Sequence, residues 1–192
     1  MVGGVAKDVL PDPSTPFGER VRRRLRDEQV IWVTTVGKDG TPQPNPVGFL
    51  FQDDRSILIY NDVKANRVNH VVERPQVALH FDGDGTGGDI VVFTGTARRA
   101  DDVPPPHENQ AYLAKYGDGM ARLSGSIERF GKRFSVPLRV EITRVRGRCR
   151  GSSDQAVRGG CFHLNPVTSS RRDRRPTGGS ASGLRAHSPE DD

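Results

Sequence analysis

The sequence predicts a mainly-β domain of six antiparallel strands with helices inserted between them. Three observations carry this reading. Short β-branched and apolar runs recur along the chain (Val30–Val36, Ile57–Tyr60, Val77–Phe81, Ile90–Thr94, Phe134–Val145), with glycine, proline and aspartate between them. An Asp39-Gly40 pair joins the first run to a return segment, the signal of a tight hairpin. Helical spacing of apolar residues is confined to short stretches between these runs.

The elements follow in order. Met1 to Pro16 holds Gly3, Gly4, Pro11, Pro13 and Pro16 and reads as a flexible lead-in. In Phe17–Glu28, Phe17, Val21 and Leu25 form an apolar stripe among charges, an amphipathic helix. Its arginines read as a solvated face paired with Glu19, Asp27 and Glu28. Val30–Val36 is a strand and Thr41–Phe51 its return. Pro42, Pro44 and Pro46 cannot donate to a ladder, so the return strand belongs at a sheet edge. Open backbone groups near Asn45, Pro46 and Val47 suit a planar ring; an irregular edge without a ligand fits the same residues.

Ile57–Tyr60 and Val77–Phe81 read as buried strands flanking a basic segment, Lys64 to Arg74, which Pro75 closes. Val68, Val71 and Val72 share one helix face, with Lys64, Arg67 and Asn69 outside it. A helix start between two strands can hold a phosphorylated cofactor; a solvated basic face is the alternative.

Gly83-Asp-Gly85-Thr-Gly-Gly88 matches the glycine spacing of a dinucleotide fingerprint, but a strand follows it, and no helix N-terminus is there to receive a pyrophosphate. Phe93 stands where a calcium loop of the EF-hand type needs glutamate. A glycine-rich hairpin is the better account. Asp89–Ala100 forms a long strand with Gly95 at a bulge. The stretch from His107 to Leu123 gives one or two short helices around Gly117 and Gly119. Phe134–Val145 alternates Leu138, Val140 and Ile142 inward against Arg139, Glu141 and Thr143. Residues 148–192 are rich in Gly, Ser, Arg and Pro and read as a disordered tail. Cys149, Cys161 and His163 lack paired metal-ligand spacing, so no metal site is expected.

Composition narrows function further. The 192 residues are 33% hydrophobic and 6% aromatic, with a formal charge of +5. Acidic and basic residues are mixed and aromatics are not interleaved with the cations, which argues against nucleic acid as a partner. The chain has neither a bilayer-length apolar run nor a signal-peptide centre, so a cytoplasmic protein without membrane contact is expected. The sequence lacks Ser-His-Asp and Cys-His constellations, HExxH, a P-loop and a close carboxylate pair. No catalytic side chain is nominated. An enzyme of this sequence takes its chemistry from a cofactor.

Five segments in order, WVTTVGKDGTPQPNPVGFLF, LIYNDVKANRVNHVVERPQVALHF, GDGTGGDIVVFTGTA, AYLAKYG and VPLRVEITRVRG, resemble the pyridoxamine 5′-phosphate oxidase-like split β-barrel oxidoreductases. The likeness covers about Phe17 to Gly147 and is greatest to the branch using the deazaflavin coenzyme F420. It implies a six-stranded antiparallel split barrel of the FMN-binding type over residues 17–147, and a homodimer with cofactor at the interface. It implies F420, or FMN as the alternative, transferring hydride to or from a small organic acceptor. Carried onto this chain, it brings Lys64, Arg67 and Asn69 to the cofactor phosphate, with Tyr60 and Asn61 at the strand end. Asn45, Pro46 and Val47 back the ring. Arg67 stands where relatives usually carry lysine, and its planar fork is not a point charge. A module that stores cofactor without turnover fits the lack of catalytic side chains equally well.

Overall fold

The computed structural model describes residues 9–148; the expected tail, with Cys149, Cys161 and His163, lies outside them. Seven strands form one antiparallel sheet, where six were expected. They are β1 (Val30–Val36), β2 (Pro42–Gly48), β3 (Leu50–Phe51), β4 (Ser56–Asn61), β5 (Gln76–His80), β6 (Ile90–Arg99) and β7 (Val136–Arg148). The sheet order is β2-β1-β5-β6-β7-β4-β3.

The additional strand arises because the return segment breaks at Phe49. Its first half pairs with β1, from Val36 opposite Pro42 to Val30 opposite Gly48, and its second half pairs with β4. The two edges of the sheet are therefore joined through one residue, which forces the sheet to curl into a half-barrel. Phe49 is fully buried. Its backbone leaves both ladders and is satisfied by side chains: Phe49 N–H donates to the Tyr116 hydroxyl (2.8 Å), and Phe49 C=O accepts from Lys115 Nζ (3.2 Å). A buried peptide without such partners would cost about 1–3 kcal/mol per group.

Four helices decorate the sheet: α1 (Pro16–Asp27), α2 (Asn66–Glu73), α3 (Gln110–Ser124) and α4 (Ile127–Arg133). Thr15 caps α1 by accepting from Gly18 N–H (3.0 Å), and Pro16 suits the first turn. Upstream of that cap, Leu10 is buried in the core. Arg24, expected on a solvated face, is also buried; it donates to the carbonyls of Asp82 (2.7 Å) and Asp89 (2.9 Å) and to Glu28 (3.0 Å). The short helices expected around Gly117 and Gly119 are one continuous α3, capped by Asn109 and ended by Gly125 at φ 79°. Both interior glycines have open space where a side chain would stand, so neither interrupts the helix.

The glycine-rich segment is a hairpin loop, as its sequence suggests. Asp84 Oδ1 closes it by accepting from the N–H groups of Thr86 and Gly88, both at 2.9 Å. The bulge falls at Thr94/Gly95, where a side chain on Gly95 would stand 2.4 Å from the Glu141 carbonyl.

Two apolar clusters share β4. Ile57 and Ile59 face the barrel core with Phe49, Leu79, Phe81, Phe93 and Val140. Leu58 and Tyr60 point the other way, into a satellite with Tyr112, Met120 and Phe130 of α3 and α4. No helix among the described residues is long and apolar enough to cross a membrane.

Candidate functional site

The candidate site starts where β4 ends. Asn61 is fully buried, and its Nδ2 donates to the carbonyls of Ile59 and Val136, both at 3.1 Å. That fixes Oδ1 as an acceptor, and Arg67 Nε donates to it at 2.5 Å. Arg67 is thereby drawn inward from the first turn of α2 and is half-buried. Burial lowers its pKa and the nearby Asp62 carboxylate opposes this; a guanidinium stays charged at any ordinary pH. Among the described residues, no hydrogen bond or ion pair engages its two terminal nitrogens.

The surroundings reinforce this. Ala65 precedes α2 without offering a side-chain cap; Val68 N–H donates to Ala65 O (3.1 Å), which leaves the N–H groups of Asn66 and Arg67 uncapped. Asp62 is held down by others: its carboxylate accepts from Arg133 Nε (2.7 Å) and from Lys64 N–H (2.9 Å), which keeps its pKa below the usual range. The local charge at the head of α2 is left positive.

The remaining expected residues are distributed unevenly. Lys64 is exposed just ahead of α2. Asn69 is exposed on the solvent side; two residues turn a helix by roughly 200°, so it leaves α2 on the side away from Arg67. Tyr60 lies on the opposite face of β4 from Asn61, and its hydroxyl donates to Pro104 O (2.5 Å) and accepts from Asn109 Nδ2 (3.0 Å). The apolar stripe of α2 reduces to Val68 and Val71, because Val72 is 72% exposed.

On β2, Asn45 pairs with Val33, Pro46 with Trp32 and Val47 with Ile31. Val47 is buried, Asn45 half-buried and Pro46 exposed. Ladder alternation puts Asn45 and Val47 on the face that carries Thr35, and Thr35 meets His70 of α2 (Oγ1 to Nδ1, 3.1 Å). The strand segment and the helix thus share one side of the sheet. His70 was not singled out from the sequence; a lone histidine on a basic helix gives no signal until Thr35 is brought beside it. The other face carries Trp32 stacked on His80 (6.1 Å between ring centroids), with Trp32 Nε1 donating to Asp82 (2.9 Å). Among the described residues no cluster of three or more His, Cys, Asp or Glu could hold a metal.

A curled antiparallel half-barrel with helices on the sheet is consistent with the split-barrel class of proteins. The family model of pyridoxamine 5′-phosphate oxidase matches residues 17–155, and the chain belongs to that family. A pyridoxine/pyridoxamine 5′-phosphate oxidase of Edwardsiella ictaluri is 28% identical over 102 residues, covering 50% of this chain and 46% of the relative. The match thus spans about half the length of that curated relative. A conserved hypothetical protein of Mycobacterium tuberculosis shares the fold, with a TM-score of 0.53 at 18% identity, over 73% of this chain and 86% of that one. A structure described as an F420 reductase aligns with a TM-score of 0.49 at 20% identity, over 64% of this chain and 92% of that one.

Proposed function

We propose that this protein is an oxidoreductase that binds the deazaflavin F420 and passes hydride between it and a small organic acceptor. The observation that carries the reading is Arg67. A half-buried guanidinium, aimed by a buried asparagine and holding unspent donors, is costly unless an anion completes it. A phosphate ester fits that fork bidentately, with first-turn N–H groups of α2 and exposed Lys64 adding to its hold. Arg133 of α4 is paired with Asp62, so Lys132 is the charge of that last turn left to extend the positive field past one phosphate, which suits a cofactor with a polyanionic tail. Asn69 and Tyr60, expected beside the phosphate, face away from Arg67 and are left out of this reading.

Asn45, Pro46 and Val47 back the ring. Pro42, Pro44 and Pro46 at every second position leave carbonyls and no N–H on the open side of β2, so this edge accepts a hydrogen bond from a ring N–H and rejects a ring carbonyl. When bound, the deazaflavin supplies the hydride chemistry. The chain's own residues anchor one end, orient the ring and keep water from its buried face. Two protomers pair with the cofactor between them, a reading supported by half-exposed Trp32, His80 and Val92 on the outward sheet face.

Titration with F420 and FMN separates the cofactors. F420 is expected to bind in the micromolar range, and the double variant Lys64→Ala, Arg67→Ala weakens it by ~2–4 kcal/mol. Unchanged affinity in that variant removes both residues from the site. FMN is the second reading, favoured by the family match; a yellow protein after purification supports it. Tight binding without turnover on quinones, tetrapyrroles or nitro compounds would instead mark a storage module. Light scattering is expected to give twice the chain mass of 21.1 kDa.

A further inference from the structure

α2 presents two polar residues to the sheet, one turn apart. Arg67 and His70, at i and i+3, are half-buried on the side of buried Val71, while Asn69 and Val72 face solvent. Each is aimed by a fully buried polar side chain of the sheet: Arg67 by Asn61 of β4, and His70 by Thr35 of β1 (Oγ1 to Nδ1, 3.1 Å). They lean apart, toward strands four places distant in the sheet order. Arg67 and His70 can therefore meet different parts of one ligand.

The Thr35 hydroxyl sets the state of the imidazole. Among the described residues, its only hydrogen-bond partner is His70 Nδ1. A buried hydroxyl proton without an acceptor costs more than an oxygen lone pair left empty. Thr35 therefore donates, Nδ1 accepts, and the neutral ring carries its proton on Nε2. Nε2 has no hydrogen bond among the described residues and is not enclosed by the protein, so a donor opens beside the sheet.

That donor stands near a strand edge of the opposite kind. Thr35 lies opposite Gln43 of β2, one strand spacing of about 5 Å away, and Asn45 follows on the same face. Asn45 Nδ2 is committed to Gln43 O (3.2 Å), and the prolines leave the open backbone there with carbonyls and no N–H. Flavin and deazaflavin rings share an edge on which an N–H stands between two carbonyls. β2 serves the N–H of that edge, and its backbone has nothing for the carbonyls.

We propose that His70 binds the cofactor ring, its Nε2–H donating to a ring carbonyl beside Asn45, Pro46 and Val47, and that Thr35 is the positioning residue that fixes the tautomer. The inference rests on the cofactor reading above and deepens it: β2 takes the ring N–H and α2 the neighbouring oxygen.

Nitrogen NMR of the imidazoles, with cofactor titration, tests this on the full chain. At about pH 8, where free imidazole is neutral, the His70 signals should report an Nε2–H ring before any cofactor is added. Their loss in His70→Gln assigns them, and Thr35→Val should mix the two tautomers. Saturating F420 or FMN, whichever binds, should shift the Nε2 signal. His70→Leu should weaken that cofactor about fivefold, the scale of one hydrogen bond, and raise the ring-carbonyl stretch in its Raman spectrum. His70→Gln keeps an N–H donor and should recover at least half of the loss; melting curves verify that each variant is folded. An Nδ1–H ring in the free protein, an unmoved carbonyl band, parental affinity in folded His70→Leu, or equal losses in the two His70 variants would overturn the inference and leave the cofactor reading standing. A parent chain that binds neither F420 nor FMN would overturn both.

Discussion

The strand break at Phe49 and the head of α2 treat polar groups in opposite ways. At the strand break, the Phe49 backbone groups and the Tyr116 hydroxyl all find partners within the chain. The Tyr116 hydroxyl accepts from Phe49 N–H (2.8 Å), and its single proton lies between the carbonyls of Gln29 (2.7 Å) and Phe49 (2.9 Å). Gln29 O is the nearer of the two acceptors, and Phe49 O also accepts from Lys115. Burial pushes the Tyr116 pKa up to about 12, so the hydroxyl keeps its proton at any working pH. At the head of α2, Asn61 uses three contacts to aim Arg67 and then leaves the guanidinium tips unfilled. The first arrangement serves stability; the second gives some of it up, as the anion site proposed above would require.

The contrast can be broken by mutation, beginning with the largest expected loss. Tyr116→Phe removes the hydroxyl that serves the strand break and should cost about 2–3 kcal/mol in chemical denaturation, since buried Phe49 N–H is left unpaired. A loss below 0.5 kcal/mol, on the order of a surface change, would mean water replaces the hydroxyl. Tyr60→Phe should cost less, about 1–2 kcal/mol, because the Pro104 carbonyl and Asn109 amide it orphans are only part-buried. Arg67→Met should change stability without ligand by less than ~1 kcal/mol in either direction, since losing the Asn61 contact is offset by relief of a half-buried charge. Destabilisation as large as that of Tyr116→Phe would make Arg67 a structural residue and remove the distinction.

The smallest effect is one of pH. Burial lowers the Lys115 pKa from its ordinary 10.5 to about 8, against the opposing pull of Asp27 and Glu28. The unfolded chain therefore binds more protons between about pH 8 and 10.5, and stability contributed through this group rises with pH across that window. Below pH 8 both states are protonated and the penalty is constant. Lys115→Met should flatten this rise when melting temperatures of variant and parent are compared from pH 7.5 to 10; parallel curves would show that the amine is not strained in the fold.

Local signals were legible and long-range ones were not. The bounds of Val30–Val36, the Asp-Gly hairpin, the proline-marked edge and the bulge at Gly95 each rest on a few neighbouring residues, and the structure has all four. The division of the return strand at Phe49 was invisible, because the group that permits it, Tyr116, lies 67 residues away. Periodicity also misjudged α2. It counts arginine as outward and valine as inward, yet Asn61 draws Arg67 in while Val72 is left outside. Arg24 misled in the same way, since carbonyls from the β5–β6 loop draw it under the sheet. At the site, residue types suggested an anion, but only the geometry separates Arg67 and Asn61, which meet, from Tyr60 and Asn69, which face elsewhere.

The three prolines of β2 also restrict how this molecule can assemble. From Pro42 to Pro46 the rim shows oxygens and no amide hydrogens, so an incoming strand finds only half of each rung there and extension of the sheet from that side is disfavoured. The pairing of two protomers proposed above is therefore expected to use a surface other than this edge.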